Sequence, residues 1–382
     1  MGTYLPRRCG IATFTYDLSQ AVEKAYNNTI GSSIIAMNTE DESIEYPPNV
    51  DFQIQDSSIQ DYLRVAKDIN DNKKIKVISI QHEFKIFGSD YGEPLLTFLK
   101  KIEKPVIITM HTVLPKPSDY RKKIVQLLSE KCSQIVVMNQ FAVDILHKDY
   151  GIKRSKISVI PHGIHEVKFG DNRNMKKQWG FQNRRLITSF GFMRPGRGDR
   201  SSGRGYEYIL EILPEIMKRF PDVLYVIAGV THPNTLKCEG EQYRNILMEE
   251  VRRKGLQKNV KFINKFLSLT ELLSLLKSTD VYISSNQNPF QITSGTLSYA
   301  MGCGRAVVST PFLHAKEIIN EKRGFLAKFD DSKSFKDAIL ALLGNPILKK
   351  RMEKNAYLFT RHMTWQNVGK QYQKLFNRYL DH

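Results

Sequence analysis

Val106-Ile107-Ile108-Thr109-Met110, Ile135-Val136-Val137-Met138 and Ile157-Ser158-Val159-Ile160 are short apolar runs separated by the longer amphipathic stretches Asp119 to Lys131 and Gln140 to Lys148. Runs of this length, apolar on both faces and alternating with helix-length segments, are the pattern of a parallel sheet covered by helices. Ile34 to Met37 and Ile75 to Ile80 extend the same alternation toward the N-terminus.

The alternation then repeats. Leu186 to Phe190, Leu224 to Ala228, Val260 to Ile263, Val281 to Ser284 and Ala306 to Ser309 read as a second set of buried strands. Tyr206 to Arg219, Gly240 to Lys254 and Leu269 to Lys277 read as the helices between them. The polar stretch 166–183 has no β period and reads as a linker. The expected division is therefore 1–165, a linker at 166–183, a second domain at 184–360, and a C-terminal helix at 361–382. In that tail Trp365, Val368, Tyr372, Leu375, Phe376 and Tyr379 recur at roughly helical spacing, which suits packing against a domain. Two doubly wound domains would present a ligand cleft at the carboxyl ends of their strands. Only Met1-Gly2-Thr3 precede the first turn, so the first central strand of the N-terminal domain looks missing, unless another segment fills the gap.

With 382 residues the chain has room for two or three domains at roughly 100–200 residues each. Lys and Arg number 57 against 39 Asp and Glu, a formal charge of +18, which favours anionic partners such as nucleotides, phosphates or an acidic membrane surface. Recognition-helix modules and aromatic–basic β platforms are not apparent, so nucleic acid is not an expected partner. The four cysteines, Cys9, Cys132, Cys238 and Cys303, are scattered and form no C-x-x-C pair. That spacing suggests neither a zinc site nor a disulfide framework and suits a reducing cytoplasm. No apolar run approaches the ~18 residues of a membrane span.

Candidate site residues sit where strands end. Arg8-Cys9-Gly10-Ile11-Ala12 reads as a turn into a helix, where Gly10 lets a ligand approach the backbone N–H groups. His111 follows the run ending at Met110, and Gln81-His82-Glu83 follows the run ending at Ile80. His162-Gly163 follows Ile160 and also reads as an ordinary strand-end turn. Between Phe190 and Gly205 stand Arg194, Arg197, Arg200 and Arg204, interleaved with glycines. This loop is suited to a phosphate, or is simply a basic connection. In Asn288 to Thr296, Thr293, Ser294 and Gly295 could offer N–H and hydroxyl donors to phosphate at a helix start. Thr231-His232-Pro233 ends another strand and reads equally as a surface turn.

Tyr4-Leu5-Pro6-Arg7-Arg8-Cys9-Gly10-Ile11-Ala12, His111, Val159 to Gly163, Gly203-Arg204-Gly205-Tyr206-Glu207 and Gly302 to Thr310 fall in an order that resembles the retaining family-4 glycosyltransferases. The resemblance implies the GT-B fold, with two Rossmann-like domains facing a cleft and the C-terminal helix crossing back to the first. It implies hexose transfer from a nucleotide-diphosphate sugar to a glycan, lipid-linked or small-molecule acceptor, without an essential metal or other cofactor. His111 and Arg204 become the implied catalytic residues, Arg204 neutralising the departing diphosphate. Gly10, His162, Gly163, Arg194, Arg197, Gln291, Thr293, Ser294, Gly295, Thr296 and Tyr299 are the implied donor-binding set. Arg8, His82 and Glu83 are the implied acceptor contacts. The family's acidic pair is replaced here by Gln291 and Tyr299, which leaves open a catalytically weak or inactive protein that binds nucleotide or glycan. A cytoplasmic protein, with peripheral contact to the anionic inner membrane face, completes the expectation.

Overall fold

The computed structural model describes residues 1–39, 44–170, 172–195 and 203–380. Contacts divide the chain into two compact units: 1–163 with 362–382, and 164–361. The expected linker at 166–183 is corrected here, because the whole stretch belongs to the second unit. It carries a helix, Asn172–Gln178, and is tied down on both sides of it. Tyr357 Oη donates to the Val167 carbonyl (2.8 Å), Trp179 Nε1 donates to Ser274 Oγ (3.1 Å), and Lys176 pairs with the buried Asp280.

The strands are β1 (Ile34–Asn38), β2 (Val50–Gln55), β3 (Ile78–His82), β4 (Val106–Met110), β5 (Gln134–Val137) and β6 (Ile157–Val159) in the first unit. The second unit holds β7 (Arg185–Phe190), β8 (Val223–Ala228), β9 (Val260–Ile263), β10 (Val281–Ser284), β11 (Ala306–Ser309) and β12 (Gly324–Leu326). All pairings are parallel. In the N-terminal unit β3-β4-β5-β6 form one sheet and β1-β2 a second ribbon. The strand that looked missing is supplied by Met1 to Thr3, which run between β1 and β3. Gly2 bridges Ala36 in parallel, Gly2 N–H donates to Ile35, Met37 N–H donates to Gly2, and Gln81 N–H donates to Met1. Three residues thus join the two pieces and satisfy edges that would otherwise be left open.

The second sheet runs β12-β11-β10-β7-β8-β9. Its order reverses between β7 and β10, and in open α/β sheets ligands bind outside the carboxyl ends of the strands at that point. The loops that leave β7 and β10 carry the candidate donor residues.

Each unit has its own apolar core. In the second, Ile187, Tyr225, Ile227 and Val308 pack under Ile209, Leu213 and Phe335. In the first, Phe14, Leu18 and Val22 of the helix Gly10–Ala25 meet Trp365, Val368 and Tyr372 of the helix Trp365–Phe376. The second helix comes so close that a side chain at Gly369 would begin 2.2 Å from the Ala21 carbonyl oxygen. Tyr372 Oη and Thr109 Oγ1 share a buried hydrogen bond of 2.8 Å, which pins the C-terminal helix to β4. Among the described residues no helix is long and apolar enough to cross a membrane.

Candidate active site

In the C-terminal unit the site is built on two backbones that nearly touch. Beyond Phe190 the pairing of β7 with β8 continues through Gly191 N–H to Ala228 (3.0 Å) and Met193 N–H to Val230 (2.9 Å). Gly191 (φ +128°) and Gly229 (φ +136°) adopt backbone conformations that side chains rarely tolerate. A Cβ on Gly229 would lie 2.1 Å from the Gly191 carbonyl oxygen. Over Gly191 rests the guanidinium of Arg204, 2.8 Å from where a Cβ would stand, with the Thr296 methyl at 3.4 Å. Arg204 makes no side-chain hydrogen bond or ion pair among the described residues. The chain around it is fixed by its backbone: Ser285 Oγ donates to the Arg204 carbonyl (2.7 Å), Gln287 N–H donates to Gly203 (3.1 Å), and Gly205 (φ +62°) opens the helix Tyr206–Arg219.

Arg194 and Arg204 both act on His232. Burial first, then the charges of Arg194 and Arg204, hold its imidazole down at about 4. His232 also meets Phe192 edge to face at 5.3 Å, and Phe192 lies 5.9 Å from Phe266. The outcome is a cationic, aromatic-walled corner at the ends of β7 and β8. Arg197 lies outside the described residues.

The loop after β10 meets the same corner. Ser294 caps the helix Gly295–Gly302 by accepting from Leu297 N–H (3.3 Å), and it shares a hydrogen bond with Thr296 Oγ1 (3.2 Å). Thr296 also hydrogen-bonds Tyr282. Gln291 Nε2 donates to the Thr293 carbonyl (2.9 Å), and the Thr293 hydroxyl is buried with no partner among the described residues. Tyr299 lies one turn further on and stacks on His165 at 5.7 Å, so its ring is held by packing.

One residue of this corner was missed in the sequence. Arg244 is almost wholly buried. Its Nε donates to Glu241 (2.9 Å) and its Nη2 to the Gly229 carbonyl (3.0 Å), while Nη1 is buried without a partner among the described residues. In sequence the pair Glu241/Arg244 looks like a solvated helix pair three residues apart, and only the fold brings it to Gly229.

The N-terminal unit holds its own candidates. His111 Nε2 lies 3.1 Å from Gln81 Oε1, and Gln81 Nε2 donates to Ser79 Oγ (3.3 Å). The carbonyl oxygen of Gln81 accepts, so His111 carries its proton on Nε2 and leaves Nδ1 as an acceptor. Burial, with His162 and His82 adding to it, lowers its pKa to about 3, and the ring stays neutral. Glu83 accepts from Thr112 Oγ1 (2.6 Å) and from Phe84 N–H (3.1 Å). Arg8 and Gly10 are exposed at the start of the helix Gly10–Ala25, and nothing lies within 4 Å of where a Gly10 side chain would begin.

One expectation is corrected. His82 is not positioned for an acceptor: it is fully buried, stacked on Phe87 at 5.8 Å and edge-on to Phe84 at 5.1 Å. Among the described residues neither ring nitrogen has a partner, and burial lowers its pKa to about 4. His162 and Gly163 pack within the N-terminal unit. His162 Nδ1 donates to the Gly163 carbonyl (2.8 Å) and the ring faces Phe14, while Gly163 lies against the Trp365 indole. Among the described residues no group of three His, Cys, Asp or Glu side chains gathers as a metal centre would.

The comparisons with known proteins agree with this architecture. Glycosyltransferase Family 4 matches residues 9–167 and Glycosyl transferases group 1 matches residues 198–359. The chain belongs to this glycosyltransferase family, and its fold is GT-B. It is 23% identical over 267 residues to an uncharacterized glycosyltransferase of Methanocaldococcus jannaschii, covering 69% of this chain and 62% of that protein. It is 23% identical over 285 residues to a phosphatidyl-myo-inositol mannosyltransferase of Mycobacterium tuberculosis, covering 72% and 68%. The match thus spans under two thirds of the archaeal relative's length. Among solved structures, Anabaena HepE in complex with UDP and glucose superposes with a TM-score of 0.74 at 14% identity, over 99% of this chain and 98% of that one. Sucrose-phosphate synthase of Thermosynechococcus elongatus gives 0.73 at 14% identity, over 97% and 93%.

Proposed function

We propose that the protein is a retaining hexosyltransferase whose donor is a nucleotide-diphosphate sugar. The observation that carries the reading is the placement of Arg204 over Gly191, beside Arg194 and the Thr293–Thr296 turn, at the switch point of the C-terminal sheet. A cation with no carboxylate partner among the described residues, held on a backbone with no side chain, suits a diphosphate that must come close.

In this mechanism the bond from the anomeric carbon to the diphosphate oxygen breaks as the acceptor hydroxyl forms its bond on the same face. The departing diphosphate oxygen takes the hydroxyl proton, so no protein base is needed. Arg204 and Arg194 stabilise the charge that grows on the leaving group, a transition-state effect worth about 10²–10³ in rate for one well-placed donor. Gln291 is assigned to sugar hydroxyls, and the family resemblance carries the catalytic role of His111, a neutral acceptor at Nδ1, and the acceptor contacts of Arg8 and Glu83. The reading gives no role to a metal or other cofactor. It places the protein in the cytoplasm, with peripheral contact to an anionic membrane where the acceptor is lipid-linked.

A binding protein without turnover is the second reading. It is favoured by Gln291 and Tyr299, neither of which can supply a carboxylate, and by the packing of Tyr299 on His165. Assay of UDP-, GDP- and ADP-hexoses for hydrolysis and transfer separates the two: release of nucleotide diphosphate supports the enzyme, and binding without release supports the second reading.

A further inference from the structure

The loop between β10 and the helix Gly295–Gly302 is fastened by His314, which lies in the first turn of the next helix, Leu313–Ile318, and is 1% exposed. His314 Nδ1 accepts the Ser294 N–H at 2.9 Å, and the His314 N–H donates to the Gln291 carbonyl at 3.1 Å. Beside them Leu313 N–H donates to the Pro289 carbonyl (3.1 Å). Of these bonds only the one at Nδ1 comes from a side chain. It also sets a chemical condition: a ring nitrogen that accepts carries no proton, so the imidazole is neutral and protonated on Nε2.

This bond decides what the turn can offer a ligand. Ser294 Oγ accepts from Leu297 N–H (3.3 Å), and the Ser294 carbonyl accepts from Ser298 N–H and Oγ (both 3.1 Å). With its N–H on His314, every polar group of Ser294 is engaged within the protein. The N–H groups of Gly295 and Thr296, at the first helical positions, have no intrahelical acceptor. Gln291 Nε2 is committed to the Thr293 carbonyl (2.9 Å), which leaves Oε1 as the accepting end of that amide.

We propose that His314 is a positioning residue of the donor turn: by taking the Ser294 N–H it sets the Gly295 and Thr296 N–H groups toward a diphosphate and Gln291 Oε1 toward a sugar hydroxyl. That the turn meets a nucleotide-diphosphate sugar rests on the transferase reading; that His314 sets the turn does not. Two substitutions separate the ring nitrogens. His314→Asn keeps an acceptor near the place of Nδ1, and His314→Gln keeps a polar atom near Nε2 only. Hydrogen exchange of the Ser294 amide in the ligand-free full chain is one readout. Titration calorimetry of UDP, GDP and ADP, each beside its nucleoside, is the other. His314→Gln is expected to speed the exchange and to weaken the diphosphate that binds wild type, each by about tenfold, the scale of one buried donor left unpaired, with nucleoside binding unchanged. His314→Asn is expected to stay close to wild type in both. Exchange or diphosphate affinity unaltered in His314→Gln, or an equal loss in His314→Asn, overturns the proposal. Nitrogen-15 NMR of the wild-type imidazoles decides the matter even where a variant folds poorly: His314 must be protonated on Nε2 alone at neutral pH, and a proton on Nδ1 overturns the proposal. A wild-type chain that binds none of the diphosphates yet shows the expected exchange contradicts the donor reading alone.

Discussion

The guanidinium of Arg204 lies on the α-carbon of Gly191, and the glycine is what makes room for it: a Cβ there would stand 2.8 Å from Nη2. With φ at +128°, Gly191 is also in a conformation costly to any residue with a side chain. Gly191→Ala is therefore expected to cost about 1–3 kcal/mol of stability from backbone strain. It should also push Arg204 aside and weaken nucleotide-diphosphate binding. Urea unfolding and calorimetric titration of the same variant check both parts.

Arg204→Gln removes the cation without removing the bulk. Turnover of the nucleotide sugar should fall about 10²- to 10³-fold, as for loss of a single transition-state donor. Binding of the nucleoside alone should change little, because the nucleoside carries no phosphate. Steady-state kinetics with the diphosphate sugar, beside nucleoside titration, distinguishes this from general damage.

His232 reports on the same corner. Burial, then Arg194 and Arg204, lower its pKa to about 4. Removing Arg204, or bringing a diphosphate next to it, should raise that value toward the ordinary 6.5. The folded state holds fewer protons on this ring than the unfolded chain between about pH 6.5 and 4. Stability contributed here is therefore full above pH 6.5 and falls as pH drops through that window. Imidazole NMR titration of wild type, Arg204→Gln and the UDP complex follows it directly.

His82 makes a second acid-sensitive point, in the N-terminal unit. Its pKa is lowered to about 4 by burial, and neither nitrogen is hydrogen-bonded among the described residues. Between Phe84 and Phe87 an apolar ring should serve as well or better, since an unpaired buried polar group carries its full desolvation penalty. His82→Phe should keep or raise stability at pH 7 and flatten its decline from pH 6.5 to 4.5. Urea midpoints across that range test it.

Gly163 is held to its size by Trp365: a Cβ would begin 2.2 Å from the indole. Gly163→Ala should destabilise the packing of the C-terminal helix by about 1–3 kcal/mol, the usual cost of overfilling a core. A lowered melting temperature that recovers in Gly163→Ala/Trp365→Leu would show that the indole is the obstacle.

The buried strands were legible because they are apolar on both faces. Val106–Met110, Val281–Ser284 and Ala306–Ser309 have the bounds that their composition suggests. β2 was not legible, since Val50-Asp51-Phe52-Gln53 belongs to a half-exposed edge strand with polar residues on one face. Nor was the role of Met1 to Thr3, because three residues carry no period and their place is set by β1 and β3. In the candidate site, the family resemblance pointed to Arg204 and to Thr293 to Thr296. It could not show that Gly191 and Gly229 meet, or that Arg244 reaches Gly229 from another helix. Strand-end position misled for His82, because a strand's last residues point alternately into the crevice and into the core.

The central claim is that the C-terminal unit holds a nucleotide diphosphate at Arg204 and the Thr293–Thr296 turn. Titration calorimetry of UDP, GDP and ADP against wild type, Arg204→Gln and Thr296→Val tests it most directly. The account predicts that one diphosphate binds selectively and that each substitution weakens it, Arg204→Gln the more. Failure of all three to bind at millimolar concentration, or binding that both substitutions leave unchanged, would contradict it.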